Sequence, residues 1–146
     1  MLVKDIMQTK VYVIGPKATA RDVAVIMDEN KTEAVVVLDE EKLVGIVTER
    51  DIISKVTAID TNPNSVQVGD IMTRKVITVE SEQSLEEAAE ILTENKIEKA
   101  PVLENGRLVG MLTVSDIVGS GVSLEQEVLK KLASVFPVAQ QSFVGG

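Results

Sequence analysis

The sequence contains no cysteine, no histidine and no tryptophan. Without cysteine there are no disulfides, thiol nucleophiles or thiolate metal ligands. Without histidine there is no imidazole ligand and no side chain that titrates readily at neutral pH. An enzyme would have to use carboxylates, lysines and hydroxyls gathered in one cluster, and the sequence shows no such cluster. We therefore predict neither a catalytic site nor a metal site, and no required cofactor.

Aromatic side chains, positive charge and long apolar runs are also scarce. Tyr12, Phe136 and Phe143 are the only aromatic residues, and the formal net charge is −8. Nucleic-acid binding is disfavoured, because it needs a basic face and, for single strands, rings on which bases stack. No run approaches the roughly 18 apolar residues of a membrane span, and the N-terminus lacks the apolar core of a signal peptide. The expected location is the cytoplasm, without nucleic-acid or membrane partners.

The sequence does contain an internal duplication. Val3–Ile53 aligns with Val68–Val118 at a constant offset of 65 residues, with 20 identities in 51 positions. Two copies are too few for a solenoid, so we predict two units that complete one core. The predicted divisions are repeat 1 (1–56), a polar linker (57–66), repeat 2 (67–119) and a C-terminal helix with a flexible tail (120–146).

Each repeat is predicted to fold as β-α-β-β-α. A β-branched run, Val11–Ile14 or Val76–Val79, predicts the first strand, and a segment with an apolar stripe at helical spacing follows it. Two apolar strands joined by a tight turn come next, and the second of them leads directly into a short helix. The predicted helix caps are Asp5 and Asp70 for one-turn helices before the first strands, and Thr19 and Ser84 for the long helices.

The C-terminal segment has no counterpart in repeat 1. A capping box at Ser123 predicts a helix that extends to about Phe136, and Ala139–Gly146 is predicted to be flexible. Leu124 and Val128 are among the apolar residues that recur on one face of this helix. That face would either cap its own repeat or pack against a second chain, and we favour the second chain.

Both repeats carry a Thr-x-x-Asp motif where the last strand meets the short helix: Thr48/Asp51 and Thr113/Asp116. A residue at the end of a strand and one in the next helical turn point toward the same cleft. The carboxylate could accept two hydrogen bonds from a ribose cis-diol, while the hydroxyl could reach ribose or phosphate. The alternative is that both aspartates only complement helix dipoles.

Over roughly residues 1–119 the chain resembles a tandem pair of CBS domains, often called a Bateman module. The resemblance lies in DIM before the first strand, an amphipathic helix, a strand written AVVVL or APVL, a hairpin and G-h-h-T-x-x-D-I, all present twice in order. It implies an α/β fold in which two β-α-β-β-α repeats pack sheet to sheet about a pseudo-two-fold axis. It also implies two clefts that commonly bind adenine nucleotides, dimerisation into flat discs, and a regulatory role without catalysis.

Motif and resemblance together predict two unequal nucleotide sites. We expect the tighter site to combine Thr113, Asp116, Thr78, Lys99 and Ala100, with the Arg50 guanidinium crossing over to the phosphate. First-strand residues would enclose the adenine, unless they only pack in the core, and Arg50 could instead be a solvated surface cation. The predicted ligand-binding residues are Val13, Ile14, Val35, Thr48, Arg50, Asp51, Thr78, Val79, Lys99, Ala100, Pro101, Thr113, Ser115 and Asp116.

The predicted function is therefore a non-catalytic regulatory module that binds adenosine nucleotides, most plausibly AMP but also ADP or ATP. Binding would change how two repeats or two chains lie, and an effector protein would respond to that change. A homodimer is expected. The alternatives are a structural dimerisation or scaffold protein with vestigial clefts, or a binder of another adenosyl ligand such as NAD or S-adenosylmethionine.

Overall fold

A computed structural model describes residues 1–135 of the chain. The predicted helix end near Phe136 and the predicted flexible tail lie outside the described residues. The described helices are α1 (Val3–Ile6), α2 (Ala20–Asn30), α3 (Glu49–Ile52, continued by a π-helical turn, Ile53–Thr57), α4 (Val68–Ile71), α5 (Leu85–Glu94), α6 (Val114–Gly119) and α7 (Gln126–Val135). The described strands are β1 (Val13–Ile14), β2 (Ala34–Asp39), β3 (Lys42–Thr48), β4 (Val79–Glu80), β5 (Lys99–Glu104) and β6 (Arg107–Thr113).

The two repeats form separate three-stranded sheets of the same topology, in the orders β1-β2-β3 and β4-β5-β6. The first pair of strands in each sheet is parallel and the second is antiparallel. A parallel pair needs a crossover connection, which the long helices α2 and α5 provide. The predicted α/β fold and its two β-α-β-β-α repeats are thus confirmed.

The predicted caps of the long helices are also confirmed. The Thr19 hydroxyl accepts the Asp22 N–H at 3.1 Å, and the Ser84 hydroxyl accepts the Glu87 N–H at the same distance. In return, the Thr19 backbone N–H donates to the Asp22 carboxylate at 2.9 Å and holds the pKa of that carboxyl below its usual range. Each hydroxyl therefore satisfies a backbone donor that a helix end leaves unpaired.

The predicted caps of the one-turn helices are wrong by three positions. Leu2 is the N-cap of α1, and its backbone N–H donates to the Asp5 carboxylate at 2.8 Å. Asp70 occupies the same position in α4, which begins after Gln67. A carboxylate at the third helical position can reach back to the N-cap donor, so an aspartate in the first turn is easily mistaken for the cap itself.

The N-terminal segment of each repeat crosses to the other repeat. Val3 is fully buried in the core of repeat 2, whereas Val68, Ile71 and Met72 lie in the core of repeat 1. Among residues 1–135, four isolated antiparallel bridges join the two halves, including one between Gln8 and Met111 and one between Thr73 and Ile46. Each core is therefore completed by side chains from the other half of the chain.

This crossing explains why the first strands are shorter than predicted. Only Val13–Ile14 and Val79–Glu80 pair in the sheets, although strands were expected from Val11 and Val76. Because Gln8 already pairs with the opposite sheet, the residues that follow it must travel from one sheet to the other.

Helix α7 packs against its own chain. Val128 and Leu132 are buried in the core of repeat 2, which α5 and α6 also line. The prediction that this face joins a second chain is therefore wrong for these two residues, because repeat 2 already covers them. The helix begins at Gln126, three residues after the predicted cap at Ser123. Among the described helices, none combines the length and apolarity that crossing a bilayer requires.

Candidate functional site

Among the cavities between the repeats, two contain the threonine of a Thr-x-x-Asp motif, and residues from both repeats line each of these two clefts. The first cleft has a volume of about 400 Å³ and is lined by Lys10–Tyr12 and Asn30–Ala34 of repeat 1 and by Met111 and Thr113 of β6. The second has a volume of about 680 Å³ and is lined by Lys75–Ile77 and Lys96–Lys99 of repeat 2 and by Ile46 and Thr48 of β3. Both volumes fall in the range of small-molecule sites, roughly 300–1,000 Å³.

The exchange of N-terminal segments determines which residues meet in each cleft. Each cleft combines the Thr-x-x-Asp end of one repeat with the segment before the first strand of the other. The expected grouping of Thr113 with Arg50 and Thr78 is therefore not what the structure shows. Thr113 lines the first cleft, Arg50 lines the second, and Thr78 lines neither.

The two motif aspartates have different surroundings. Asp51 is only 6% exposed, and one of its oxygens accepts the Thr48 backbone N–H at 2.9 Å and the Thr48 hydroxyl at 3.3 Å. The other oxygen pairs with the Lys55 ammonium at 2.9 Å, and that ammonium also donates to the Ile71 carbonyl at 2.9 Å. Asp51 therefore connects α3 to α4, and its charge is already compensated.

Asp116 retains more of its capacity as an acceptor. It accepts the Thr113 backbone N–H at 3.1 Å, while its own N–H donates to the Thr113 hydroxyl at 3.0 Å. The Gln8 side-chain amide lies 3.3 Å from both carboxylate oxygens. Within residues 1–135 no lysine or arginine forms an ion pair with Asp116. Neither aspartate lines a cleft itself: Asp116 is linked to the first cleft through Gln8, and Asp51 lies behind the Thr48 end of the second. Only Asp51 is neutralised by a lysine among the described residues.

The second cleft combines an apolar lining with positive charge. Its cations outnumber its carboxylates by one, in a chain whose net charge is −8. Local positive charge in an acidic protein favours an anionic ligand, and the apolar lining favours a ring. The cations are Arg50, Lys75, Lys96 and Lys99, the carboxylates are Glu33, Glu49 and Glu98, and the apolar side chains are Ile46, Val76, Ile77, Ile97 and Pro101.

The CBS domain family matches this chain at residues 3–58 and again at 68–122. The chain belongs to the CBS domain family. An uncharacterised protein of Methanopyrus kandleri is 35% identical over 118 residues, which are 80% of this chain and 60% of that protein. The chain thus spans about 60% of the first curated relatives that it matches.

Solved CBS structures share the fold. A conserved CBS domain protein of unknown function from Thermoplasma acidophilum superimposes with a TM-score of 0.79 at 27% identity, covering 92% of this chain and 75% of that one. A hexameric CBS-CP12 protein from bloom-forming cyanobacteria gives a TM-score of 0.74 at 32% identity, covering 81% of this chain and 66% of that one. The chain is therefore a tandem CBS pair, as the sequence predicted.

The remaining predicted site residues of the CBS pair are distributed between cleft and core. Lys99 and Pro101 line the second cleft, and Lys99 also lines the first. Val35, Val79 and Ala100 are fully buried in the cores, so their side chains face protein on all sides. Thr78 and Ser115 line neither cleft. Ile14 packs against the core of repeat 1. Val13 lines a separate surface depression beside Leu108.

Several cleft residues of the CBS pair were not predicted. Val11–Tyr12 and Val76–Ile77 line the clefts two positions before the first-strand residues that were expected to do so. A signal was present, because lysine and glutamate recur at equivalent polar positions where core packing does not require them. These recurring pairs are Lys10 and Lys75, Lys31 and Lys96, and Glu33 and Glu98.

One ion pair joins the two CBS repeats directly. The Lys99 ammonium lies 2.9 Å from the Glu33 carboxylate, and these side chains are 22% and 65% exposed. The hydrogen bond and the charge of Lys99 lower the pKa of Glu33. Because Glu33 is largely in solvent, screening limits the contribution of this pair to the free energy of unfolding to about 0–1 kcal/mol.

Replacing Glu33 with glutamine is therefore expected to lower the free energy of unfolding at pH 7 by at most about 1 kcal/mol. A carboxyl whose pKa is lowered in the folded state stabilises the fold above its unfolded pKa, about 4.3. That stabilisation is lost as the pH falls through the lower, folded value, so wild type and Glu33→Gln should converge in acid. Urea unfolding at pH 7 and pH 3 measures the difference. Glu98→Gln is the matched control, and an equal pH-dependent loss there would show that the ion pair is not the cause.

Proposed function

We propose that this tandem CBS pair is a regulatory, non-catalytic module that binds an adenosine nucleotide in the clefts between its repeats. The observation that carries the proposal is the composition of the second cleft, where apolar side chains and unpaired cations line one cavity. Arg50, Lys75 and Lys96 form no ion pair within residues 1–135. A ligand with an apolar ring and a phosphate matches both properties. AMP is the simplest ligand of that class.

Recognition in the second cleft follows from these side chains. Val76 and Ile77 offer apolar contact to the adenine, and the Arg50 guanidinium can hold a phosphate through two parallel hydrogen bonds. In the first cleft, Tyr12 offers an aromatic face, and the Thr113 hydroxyl and the Gln8 amide offer hydrogen bonds to ribose hydroxyls. The two clefts are therefore proposed as sites of unequal affinity.

The construction of each cleft from both repeats supports a regulatory role. A ligand in either cleft contacts side chains of repeat 1 and repeat 2 together. Such a ligand stabilises one relative arrangement of the repeats over others, which is the differential binding that a conformational switch requires. An effector protein that contacts both repeats would respond to this change. We place this function in the cytoplasm.

A homodimer is part of the same proposal. The hexameric cyanobacterial relative shows that a CBS protein of this fold can associate. Because α7 occupies its own repeat 2, the α2–α3 surface of repeat 1 is the more accessible face for a second copy, and the exposed Ile53 lies there beside Met27 and Ile52. Sedimentation over a range of chain concentrations measures this association.

Replacing Arg50 with serine is expected to weaken AMP binding about 10- to 100-fold. Serine is chosen because Ser115 occupies the equivalent position in repeat 2. Hydrogen bonds to a charged group contribute about 1.5–3 kcal/mol, and Arg50 is proposed to make two to the phosphate. Isothermal titration calorimetry with AMP measures the change. Arg21→Ser is the matched control, because it removes the same charge from an exposed position on α2 that lines neither cleft.

The titration also separates the ligand-binding proposal from a scaffold without a ligand. A compound that binds only the folded chain must raise its melting temperature. Equal AMP affinity in wild type and Arg50→Ser would remove Arg50 from the site. No thermal shift with AMP, ADP, ATP, NAD or S-adenosylmethionine at millimolar concentration would favour the scaffold.

A further inference from the structure

Glu33 and Lys99 line both clefts, and the ion pair that joins them is part of a wall shared by the two cavities. Glu33 comes from repeat 1, immediately before β2, and Lys99 is the first residue of β5 in repeat 2. The Glu33 backbone carbonyl is fixed by the Glu49 N–H at 3.0 Å. The wall is thus built from both repeats and held by their backbones.

The wall is not symmetric, although the repeats are. Glu98 is the counterpart of Glu33, and its carbonyl likewise accepts an N–H, from Val114 at 2.8 Å. The counterpart of Lys99 is Ala34, which has no charge to offer. Two clefts related by pseudo-symmetry therefore share one ammonium group where full symmetry would supply two.

We propose that the two clefts compete for the ammonium group of Lys99, so that an anionic ligand bound in one cleft weakens binding in the other. This inference rests on the proposed nucleotide function. It adds a regulatory property to that function, namely negative coupling between two sites within one chain.

The coupling follows from the charges. A phosphate monoester carries about −1.5 to −2 charges at pH 7, whereas Lys99 carries one positive charge that Glu33 already engages. The first phosphate to arrive can take the ammonium from Glu33. A phosphate in the other cleft then meets the freed carboxylate and a lysine already neutralised. Because the Lys99 side chain is only 22% exposed, solvent screens this competition incompletely.

The test follows AMP binding at each cleft separately, by amide NMR titration of the 146-residue chain. The Tyr12 amide reports the first cleft and the Ile77 amide the second. Independent clefts give a simple hyperbola at each amide. If the clefts compete, saturation of each amide signal requires AMP concentrations at least about fivefold higher than independent clefts would require. A factor of about five is the lower end of typical coupling between two sites.

Three lysine variants form a matched set. Lys99→Gln should weaken AMP binding about fivefold in both clefts and restore simple hyperbolas, because the shared group is gone. Lys31→Gln should weaken the first cleft alone, and Lys96→Gln the second alone, since each of these lysines lines only one of the two clefts. Glu33→Gln should tighten both, because it removes the carboxylate that competes with the phosphate.

The outcomes separate this inference from the function on which it rests. Simple hyperbolas in the wild-type chain, or a Lys99→Gln variant that weakens one cleft only, would overturn the sharing of Lys99 while AMP binding itself stands. If neither amide moves with millimolar AMP, the proposed function fails, and the coupling fails with it.

Discussion

Replacing Gly110 with alanine is expected to lower the free energy of unfolding by about 3 kcal/mol. A Cβ atom at this position would lie 2.7 Å from the Met7 sulfur and 2.8 Å from the Gln8 carbonyl oxygen. The sulfur can move, but the carbonyl belongs to the backbone bridge between the repeats. Gln8 and Met111 exchange two backbone hydrogen bonds of 2.9 Å there, which would have to lengthen or break. Urea unfolding followed by circular dichroism measures the loss.

The equivalent glycine of repeat 1 provides a matched comparison. At Gly45 the three atoms nearest to an added Cβ all belong to the Met72 side chain, and the closest of them is the sulfur at 2.5 Å. A flexible thioether can adopt another rotamer, so Gly45→Ala should cost about 1–2 kcal/mol. Gly15→Ala, with no atom within 4 Å of its Cβ, should be neutral or slightly stabilising. A Gly110→Ala variant no less stable than Gly15→Ala would contradict the crossing of the N-terminal segment.

Leu132→Ala is expected to destabilise the chain by about 3 kcal/mol, within the usual 2–5 kcal/mol for a buried leucine. Leu132 is 2% exposed, and its side chain belongs to the core of repeat 2. Leu129 lies on the same helix but is 47% exposed, so Leu129→Ala should change the free energy of unfolding by less than about 0.5 kcal/mol. Thermal and urea unfolding of the two variants compare the buried and the exposed leucine directly.

Chain concentration distinguishes packing within one chain from packing between two. If α7 covers its own repeat, the loss in Leu132→Ala is the same at micromolar and at hundred-micromolar chain concentrations. A loss that grows as the chain is diluted would place Leu132 at an interface between copies. Equal, small effects at Leu129 and Leu132 would mean that α7 is not docked at all.

The elements of the fold could be read from the sequence because their signals are local. Thr19 and Ser84 predict the starts of their helices because their hydroxyls can cap a helix end. Apolar runs predict the strands that begin at Ala34 and Lys99. The one-turn helices gave weaker signals, since Asp5 looks the same in sequence whether it caps a helix or reaches back to the cap. Because the same pattern occurs twice, the elements of each repeat could also be predicted from those of the other.

The composition of the clefts could not be read in the same way. Which Thr-x-x-Asp end meets which first strand depends on the crossing of the N-terminal segments, a non-local arrangement that no short motif records. Thr113 was therefore grouped with Thr78 of its own repeat, whereas the structure places it near Tyr12 of the other. Likewise, Asp51 and Asp116 are identical in motif, but Lys55 pairs with the first and the Gln8 amide lies beside the second.

The reciprocal insertion of Val3 and Val68 has a consequence for the origin of the chain. A single ancestral repeat would lack the side chains that complete its core. Two identical copies could supply them by exchanging their N-terminal segments. Fusion through a tether such as 57–66 would make that partnership independent of dilution. It would also allow the two halves to diverge in sequence within one chain, as Lys99 of repeat 2 and Ala34 of repeat 1 have done.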